Sequence, residues 1–252
     1  MIKISIIGAG NVGINLFETL RKKKEVKLVS LFNRSIEKIL IHKDNIFITN
    51  NIDEIKKSDI YIISTNDESI EKISNDLKGR DGMVVHTSGS TEMKILSIHK
   101  NFGVLYPLQT LTKNKLFDFK KIPICIEGNN DINDKKLEKL VKIIGSKYYH
   151  LDSKQRLALH VSAVFACNFT NYLFSVAYDI CTENKMPFEI LFPLIRETLE
   201  KIEKNKPSKI QTGPAIRKDM NTIKKHLNFI KSKNSKKIYS ILTDGIIEKN
   251  GK

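Results

Sequence analysis

Three glycines near the N-terminus constrain the fold of this chain more than any other feature. They form the pattern Gly8-Ala9-Gly10-Asn11-Val12-Gly13, directly after the apolar run Ile2–Ile7 and directly before an amphipathic stretch. The first glycine permits a tight turn, the second lets a pyrophosphate approach the backbone, and the third allows close helix–strand packing. The following helix offers unpaired N–H groups to the phosphates. In this context Gly8, Ala9, Gly10, Asn11, Val12 and Gly13 predict a dinucleotide-binding turn.

Residues 1–152 alternate short apolar runs with helical stretches, a pattern typical of a parallel α/β sheet. The predicted strands are Ile2–Ile7, Lys27–Phe32, Ile46–Thr49, Asp59–Ser64, Met83–His86, Gly103–Tyr106, Ile122–Glu127 and Lys147–Leu151. The predicted helices are Val12–Lys23, Ile36–His42, Ile52–Lys57, Glu68–Leu77, Glu92–His99 and Ile132–Ile144. Strands of this continuous apolar kind are expected where helices cover both faces of the sheet.

Residues 153–252 are predicted to be all-helical. From Lys154 to about Asn184 the chain has neither Gly nor Pro, and its almost all-round apolar middle predicts a buried helix. Pro187 is well placed to open a second helix, and helices follow at Met220–Lys231 and Ser235–Lys249. The sequence therefore predicts a Rossmann-type parallel-sheet domain, residues 1–152, followed by an all-α domain, residues 153–252.

The end of the second predicted strand discriminates between cofactors. NAD sites usually place an acidic residue there for the ribose 2′-hydroxyl, whereas an arginine accommodates a 2′-phosphate. This chain has Asn33-Arg34-Ser35 and no acid at that point. Arg34 suits a phosphate through its planar fork, with neutral hydrogen bonds from Asn33 and Ser35. We therefore expect NADP rather than NAD, although Ser35 is also a candidate helix cap.

The composition gives little reason to expect a nucleic-acid or membrane partner. The formal net charge is +15, but the lysines are spread along the chain, as on solvated helix faces. No apolar run approaches the ~20 residues that span a bilayer, and the N-terminus has the pattern of a strand rather than a signal peptide. The three scattered cysteines suggest neither a disulfide framework nor a metal site, so we expect a protein of the reducing cytoplasm.

Polar residues follow three neighbouring predicted strands where each strand ends. They are Thr65-Asn66-Asp67, His86-Thr87-Ser88-Gly89-Ser90 and Tyr106-Pro107-Leu108-Gln109-Thr110. Ligands of open α/β sheets bind beyond these carboxyl ends. We expect Thr65 and Asn66 near the cofactor, and His86, Ser88 and Gln109 near a substrate. The alternatives are that Asp67 or Ser90 caps a helix and that Gln109 makes hydrogen bonds only within its own loop.

The long helix adds a second group of polar residues. At about 3.6 residues per turn, His160, Asn168 and Asn171 share one face to within a quarter turn. Buried polar groups need partners, and these are either internal or a ligand beside the cofactor. His160 has the pKa range of a general acid. Farther on, Arg217 is a candidate clamp for a substrate carboxylate, or a structural partner of Asp219.

These segments together resemble a family that joins two domains. The first is a Rossmann-like domain described as an NADP- or deazaflavin-dependent oxidoreductase domain, and the second is an uncharacterised helical domain. The resemblance covers nearly the whole chain and rests on Gly8–Gly13, His86–Ser90, Tyr106–Thr110, His160–Asn168 and Thr212–Ala215 with Arg217 and Asp219. The family is similar to pyrroline-carboxylate reductase, 6-phosphogluconate dehydrogenase and ketopantoate reductase. The resemblance implies a helical domain that dimerises and closes the active site over the nicotinamide. Hydroxyacid dehydrogenases of that group carry a catalytic lysine on the long helix, but none lies between Lys154 and Lys185 here.

The sequence leaves two main functional hypotheses, and a basic nucleic-acid-binding protein is a weaker third. The first is an NADP(H)-dependent oxidoreductase that reduces a small carbonyl or imine, with His160 as proton donor and Asn168, Gln109 and Ser88 orienting the substrate. The second is a non-catalytic NADP-binding sensor or partner-binding protein. A bound NAD or deazaflavin in place of NADP stays open. The expected partners are a small-molecule substrate and, as the resemblance implies, a second copy of the chain bound through the helical domain.

Overall fold

The N-terminal part of the chain forms an eight-stranded sheet in the computed structural model, which describes residues 1–43, 46–112 and 115–250. The strands are β1 (Ile2–Ile7), β2 (Val26–Phe32), β3 (Phe47–Thr49), β4 (Ile60–Ile63), β5 (Met83–His86), β6 (Asn101–Pro107), β7 (Ile124–Gly128) and β8 (Tyr148–His150). Their order is β3-β2-β1-β4-β5-β6-β7-β8. The predicted Rossmann-type domain is therefore confirmed, with strand ends that differ slightly from the prediction.

The sheet is mostly parallel, as predicted, with one antiparallel pair that the sequence did not indicate. Strand β7 runs antiparallel to β6, which pairs Tyr106 with Cys125. A parallel neighbour requires a crossover of a dozen or more residues, usually a helix. The described part of the segment between β6 and β7 contains only the short 3₁₀ turn Phe119–Lys121, so the chain turns back beside β6 instead of crossing the sheet.

Helices cover both faces of the sheet, as its apolar strands predict. They are α1 (Asn11–Leu20), α2 (Ile70–Asp76) and α3 (Asp131–Ile144). Leu16 of α1 and Leu140 of α3 lie in one buried cluster, whereas Ile73 of α2 lies in a second cluster. Three other predicted helices are shorter 3₁₀ turns, at Ile36–Lys38 with Leu40–His42, at Ile52–Glu54 and at Met93–Leu96. At the second of these, Asn51 accepts a hydrogen bond from the Asp53 amide, a local bond that competes with a regular helix.

The long predicted helix is present but is interrupted by a π-helical turn. It consists of α4 (Ser153–Ala163), the π turn Val164–Phe169 and α5 (Thr170–Glu183). The capping box of Asp152 and Gln155 starts it at the predicted place. The chain divides into two compact units within the π turn, Met1–Cys167 and Asn168–Lys252, whereas the sequence placed the division near Asp152.

The prediction that this helix is buried is wrong for the single chain. Along Ser153–Glu183 the buried residues are Arg156 and Cys181, while Val161, Phe165 and Phe169 are about half exposed or more. The segment is also long and apolar enough, by length and composition alone, to cross a membrane, contrary to the sequence expectation. A single helix of this kind is weak evidence of a membrane span.

The second unit is entirely helical in its described residues. Besides α5 it contains α6 (Phe192–Lys204), α7 (Met220–Phe229) and α8 (Lys233–Asn250), with short 3₁₀ turns at Phe188–Leu191 and Pro207–Lys209. The side chain of Asp219 caps α7 by accepting from the Thr222 amide. The predicted all-α C-terminal part is therefore confirmed.

Candidate functional site

The glycine turn is shaped by contacts that exclude side chains at two positions and leave the third open. Gly8 has φ +106°, and a Cβ there would lie 2.7 Å from the Ser64 carbonyl oxygen. A Cβ on Gly13 would lie 1.9 Å from the Gly8 carbonyl oxygen. At Gly10 a Cβ would meet only Ser64, at an ordinary 3.8 Å. Packing therefore explains Gly8 and Gly13, whereas the space beside Gly10 fits a ligand that approaches the backbone.

Helix α1 begins directly after Gly10, and no side chain caps its N-terminus. The first amides of a helix have no intrahelical partner, so they are suited to bind phosphate oxygens. The Asn11 side chain is used elsewhere, since its amide donates to the Leu111 carbonyl at 2.8 Å. Val12 packs toward the sheet core. Asn11 and Val12 can still offer their backbone amides to a phosphate, and their predicted cofactor contacts stay predictions.

A cavity of about 470 Å³ lies beside the glycine turn, at the carboxyl ends of β1, β2 and β4. Predicted cofactor-binding residues that line it are Gly8, Ala9, Gly10, Asn33, Arg34, Thr65 and Asn66. The structure adds Lys38 and Lys72, neither of which the sequence analysis selected. Arg34 and Lys38 give the end near β2 a positive charge, which fits an anionic ligand group.

Asn33 and Ser35 have local roles that the sequence did not specify. The Asn33 side chain accepts from the Ala9 amide at 3.1 Å and donates to the Ser35 carbonyl at 2.8 Å. It therefore ties the β2 loop to the glycine turn. Ser35 occupies the N-cap position of the turn Ile36–Lys38 but makes no side-chain capping bond, so its hydroxyl is not committed to that role.

The loop after β5 is organised by internal hydrogen bonds. The hydroxyl oxygen of Ser88 accepts from the amides of Ser90 and Thr91, at 3.1 and 2.9 Å. The Ser90 hydroxyl donates to the Asp67 carboxylate, so these two residues join neighbouring loops instead of capping helices. Ser88 is only 7% exposed, and its predicted catalytic role stays a prediction.

His86 lies beneath this loop with no exposed surface. Its Nδ1 accepts from the Ser88 amide at 3.2 Å, and among the described residues its Nε2 has no hydrogen-bond partner. Burial, with a smaller contribution from the charge of Arg156, lowers the pKa of His86 to about 4. Its burial argues against the direct substrate contact that the sequence suggested.

Tyr106 and His160 form a hydrogen-bonded pair beside the same loop. The Tyr106 hydroxyl lies 3.0 Å from Nδ1 of His160, and their rings meet edge to face. A Cβ on Gly89 would lie 2.7 Å from Cζ of Tyr106 and 2.8 Å from Nδ1 of His160. Burial raises the pKa of Tyr106 to about 12, so this phenol stays protonated at neutral pH.

The pairing of Tyr106 with His160 was not predicted, although both residues lie in segments that the sequence analysis selected. Tyr106 is the penultimate residue of β6, next to β5, and His160 lies on α4 one turn before the π turn. The carboxyl ends of β1, β4, β5 and β6 lie at one edge of the sheet. The structure therefore brings a phenol and an imidazole to the edge where the glycine turn lies.

The remaining predicted site residues have separate surroundings. The Gln109 side chain accepts from the neighbouring Thr110 amide at 2.8 Å, which ties its own loop as the alternative interpretation expected. Asn168, Asn171 and Arg217 belong to the second unit. The π turn also breaks the regular spacing from which Asn168 and Asn171 were aligned with His160. Their roles stay predictions.

Comparisons with known proteins agree with this architecture. A family model described as a domain of unknown function (DUF2520) matches residues 122–246. A Bacteroides fragilis protein of known structure, provisionally described as an NADP oxidoreductase, is 34% identical over 98% of both chains, with a TM-score of 0.87. No functionally curated protein matches the sequence.

More distant solved structures share the fold. An imine reductase from Myxococcus stipitatus in complex with NADP+ is 14% identical over 98% of this chain and 92% of its own, with a TM-score of 0.68. The pyrroline carboxylate reductase of Plasmodium falciparum with NADP bound is 13% identical over 99% and 97%, with a TM-score of 0.61. The family model over residues 122–246 and the 34% identical Bacteroides fragilis structure confirm the resemblance. The chain belongs to the DUF2520 family of Rossmann-like proteins with a helical C-terminal part.

Proposed function

We propose that this protein is an NADP(H)-dependent oxidoreductase that reduces a small carbonyl or imine compound. The open space at Gly10 and the basic end of the neighbouring cavity support a phosphorylated dinucleotide. The structural relatives support the same class, since the Myxococcus stipitatus enzyme is an imine reductase with NADP+ and the Plasmodium falciparum enzyme is a pyrroline carboxylate reductase with NADP.

In this proposal the residues around the cavity bind NADP. The amides at the start of α1 hold the pyrophosphate. Arg34, through its planar fork, and Lys38, as a point charge, bind the 2′-phosphate. Thr65 and Asn66, at the end of β4, bind the part of the cofactor that lies across the sheet edge. When bound, the reduced cofactor supplies the hydride.

The observation that carries the catalytic part is the hydrogen bond between Tyr106 and His160. Reduction of a C=O or C=N bond requires a proton at the oxygen or nitrogen as the carbon gains a hydride. In the proposed step the Tyr106 hydroxyl donates to Nδ1 of His160, so that the ring proton of the imidazole lies on Nε2. As Nε2 gives this proton to the substrate oxygen or nitrogen, Nδ1 takes the phenol proton, and the Tyr106 phenolate that is left is reprotonated from solvent.

The decisive experiment is a titration with NADPH, NADP, NADH, NAD and a deazaflavin, followed by a reductase screen. We expect NADPH to bind most tightly and to be oxidised with at least one carbonyl or imine substrate. Mass spectrometry of small molecules that co-purify would guide the choice of substrates. Tight NADPH binding with no turnover across both classes would favour the non-catalytic sensor and contradict the reductase.

We also propose that the chain works as a cytoplasmic homodimer through its helical unit. Among the described residues of that unit only Cys181, Ala215, Ile223 and Thr243 are buried. Large apolar side chains are exposed instead, among them Ile190, Leu194, Leu199, Ile202 and Ile241. Exposed apolar surface of this extent marks an interaction site, and a second copy offers a matching one. The free cysteines Cys125, Cys167 and Cys181 suit a reducing compartment.

Light scattering tests the dimer directly, because the chain mass is 28.9 kDa and a dimer has twice that mass. Leu194→Glu, on α6, should shift the protein toward monomer. Ile132→Glu is the matched control, since Ile132 is a single exposed apolar residue on α3. A monomeric wild-type protein, or recovery in the membrane fraction, would contradict the proposal.

A further inference from the structure

Arg156 is a charged side chain buried almost completely inside the first unit, with 1% of its surface exposed. One guanidinium nitrogen donates to the Glu127 carboxylate of β7. The other terminal nitrogen donates to the Thr91 carbonyl at 2.6 Å and to the Ser153 hydroxyl at 3.2 Å, while the buried Nε has no hydrogen-bond partner among the described residues. A single side chain therefore links helix α4, strand β7 and the loop after β5.

Glu127 completes this connection from the side of the sheet. Its carboxylate accepts from the Ser153 amide at 3.1 Å and from the Ser153 hydroxyl at 2.9 Å. The Ser153 hydroxyl oxygen in turn accepts from the Met93 amide at 3.0 Å. The first turn of α4 is therefore fixed to β7 and to the segment that follows the β5 loop.

The same elements carry the pair that we propose to be catalytic. His160 lies four residues after Arg156, on the next turn of α4. Gly89, which lies against both rings, is two residues before Thr91. Tyr106 lies on β6, the direct neighbour of β7. The Arg156–Glu127 ion pair thus ties α4, which carries His160, to the β5 loop that contacts both rings and to β7, the strand paired with the β6 strand of Tyr106.

We propose that Arg156 and Glu127 are positioning residues, which hold α4 and the β5 loop so that Tyr106 and His160 keep their hydrogen-bonded geometry. This inference rests on the proposed reductase function. The ion pair acts through His160 and Tyr106 and makes no contact with substrate. The alternative is a purely structural role, in which the pair only anchors α4.

Two observations favour positioning. Burying an ion pair costs desolvation, so such a pair is weak evidence for stability, and apolar replacements of similar volume are often neutral or stabilising. In addition, the guanidinium of Arg156 holds the Thr91 carbonyl at 2.6 Å, two residues from Gly89, which lies against both rings.

The test uses the double variant Arg156→Met/Glu127→Met, which removes both charges, so that neither is left buried without its counter-charge, while the Thr91 carbonyl and the Ser153 amide lose their hydrogen-bond partners. We expect it to fold with a lowered melting temperature and to lose about 100-fold in kcat, the scale of a 1 Å misplacement, with KM and NADPH affinity little changed. A folded double variant with wild-type kcat would overturn the proposal. Arg21→Met, which breaks the more exposed Arg21–Glu18 pair, is the matched control and should keep wild-type kcat.

A second variant and a second readout keep the test decisive. If the double variant fails to fold, Arg156→Lys keeps the charge but loses the fork, and we expect kcat to fall about tenfold, because Lys does not replace Arg at such a site. Long-range ¹H–¹⁵N spectra of the six histidines, with His160→Asn for assignment, report the hydrogen bond at Nδ1 without any substrate. An unchanged His160 signal in the folded variants would overturn the positioning role. If the wild type turns over no substrate, the reductase proposal fails, and this spectrum still decides the positioning role.

Discussion

Tyr106 and His160 are 54 positions apart in the sequence, yet the Tyr106 hydroxyl lies 3.0 Å from Nδ1 of His160. Their ring centroids are 6.0 Å apart, with the planes at 71°. A hydrogen bond at one imidazole nitrogen determines which tautomer the other nitrogen presents. In the proposed mechanism Tyr106 donates to Nδ1 of His160, so that the ring proton lies on Nε2, the nitrogen that donates to the substrate.

Loss of the pair should lower turnover more than binding. We expect His160→Asn to reduce kcat by about 10²–10⁴-fold, the usual contribution of a general acid. Tyr106→Phe should reduce it less, because the imidazole remains but its tautomer is no longer fixed. The two effects should be far from additive, since the residues act as a unit. Steady-state kinetics of the single and double variants with NADPH measure this.

Tyr148→Phe is the matched control for Tyr106→Phe. Tyr148 lies on β8, at the far end of the sheet, and its hydroxyl also makes one hydrogen bond, to Glu138. We expect this variant to keep wild-type kcat. A Tyr106→Phe enzyme with wild-type kcat would show that the tautomer is fixed by another group.

The local part of the site was predictable from the sequence, whereas the non-local part was not. Gly8, Gly10 and Gly13 lie within one turn, so their spacing alone indicates their roles. Tyr106 and His160 meet only because β6 and α4 are adjacent in the folded unit, and no sequence spacing reports that contact. Arg156 was missed for the same reason, since its partner Glu127 is 29 positions away. The sequence analysis also missed the 3₁₀ turns and the antiparallel direction of β7, because both depend on the path of the connecting loops.

The glycines of the turn should separate stability from cofactor binding. Gly13→Ala should destabilise the fold strongly, because its Cβ would lie 1.9 Å from the Gly8 carbonyl oxygen. In Gly10→Ala the added Cβ would meet only the Ser64 carbonyl oxygen, at an ordinary 3.8 Å, and φ at this residue is an unstrained −75°. We expect it to keep its melting temperature but to bind NADPH at least about tenfold more weakly, because the methyl group occupies the space of the pyrophosphate. Equal NADPH affinity in Gly10→Ala and wild type would contradict a pyrophosphate at this turn.

Arg34 and Lys38 should determine the preference for the 2′-phosphate. A hydrogen bond to a charged group contributes about 1.5–3 kcal/mol, so Arg34→Ala should weaken NADPH binding by about 10–100-fold. Lys38→Ala should have a smaller effect, because lysine acts as a point charge without a planar fork. Neither variant should weaken NADH binding to the same extent. Isothermal titration with both cofactors measures the ratio.

The control for these variants is Lys57→Ala, which removes an exposed lysine paired with Asp81, outside the residues that line the cavity. Its NADPH affinity should equal that of the wild type. If Arg34→Ala weakened NADPH and NADH equally, the arginine would bind a part that both cofactors share.

His86 should make the folded protein less stable in acid. Its pKa is lowered to about 4 in the folded state, mainly by burial and then by Arg156, from an ordinary value of 6.5. The unfolded chain therefore binds a proton at this residue between about pH 6.5 and 4 while the folded chain does not. The free energy of unfolding falls as the pH falls through that window, by about 2 kcal/mol at about pH 5, and this group adds no further loss below about pH 4.

Urea unfolding of the wild type and of His86→Gln at about pH 7.5 and pH 5 isolates this contribution. Glutamine keeps an acceptor for the Ser88 amide but does not titrate. The variant is expected to start from a lower stability and to lose less between the two pH values, since the other titrating groups are common to both proteins. Equal losses in the two proteins would mean that His86 is protonated to the same extent in the folded and unfolded chains, contrary to its complete burial.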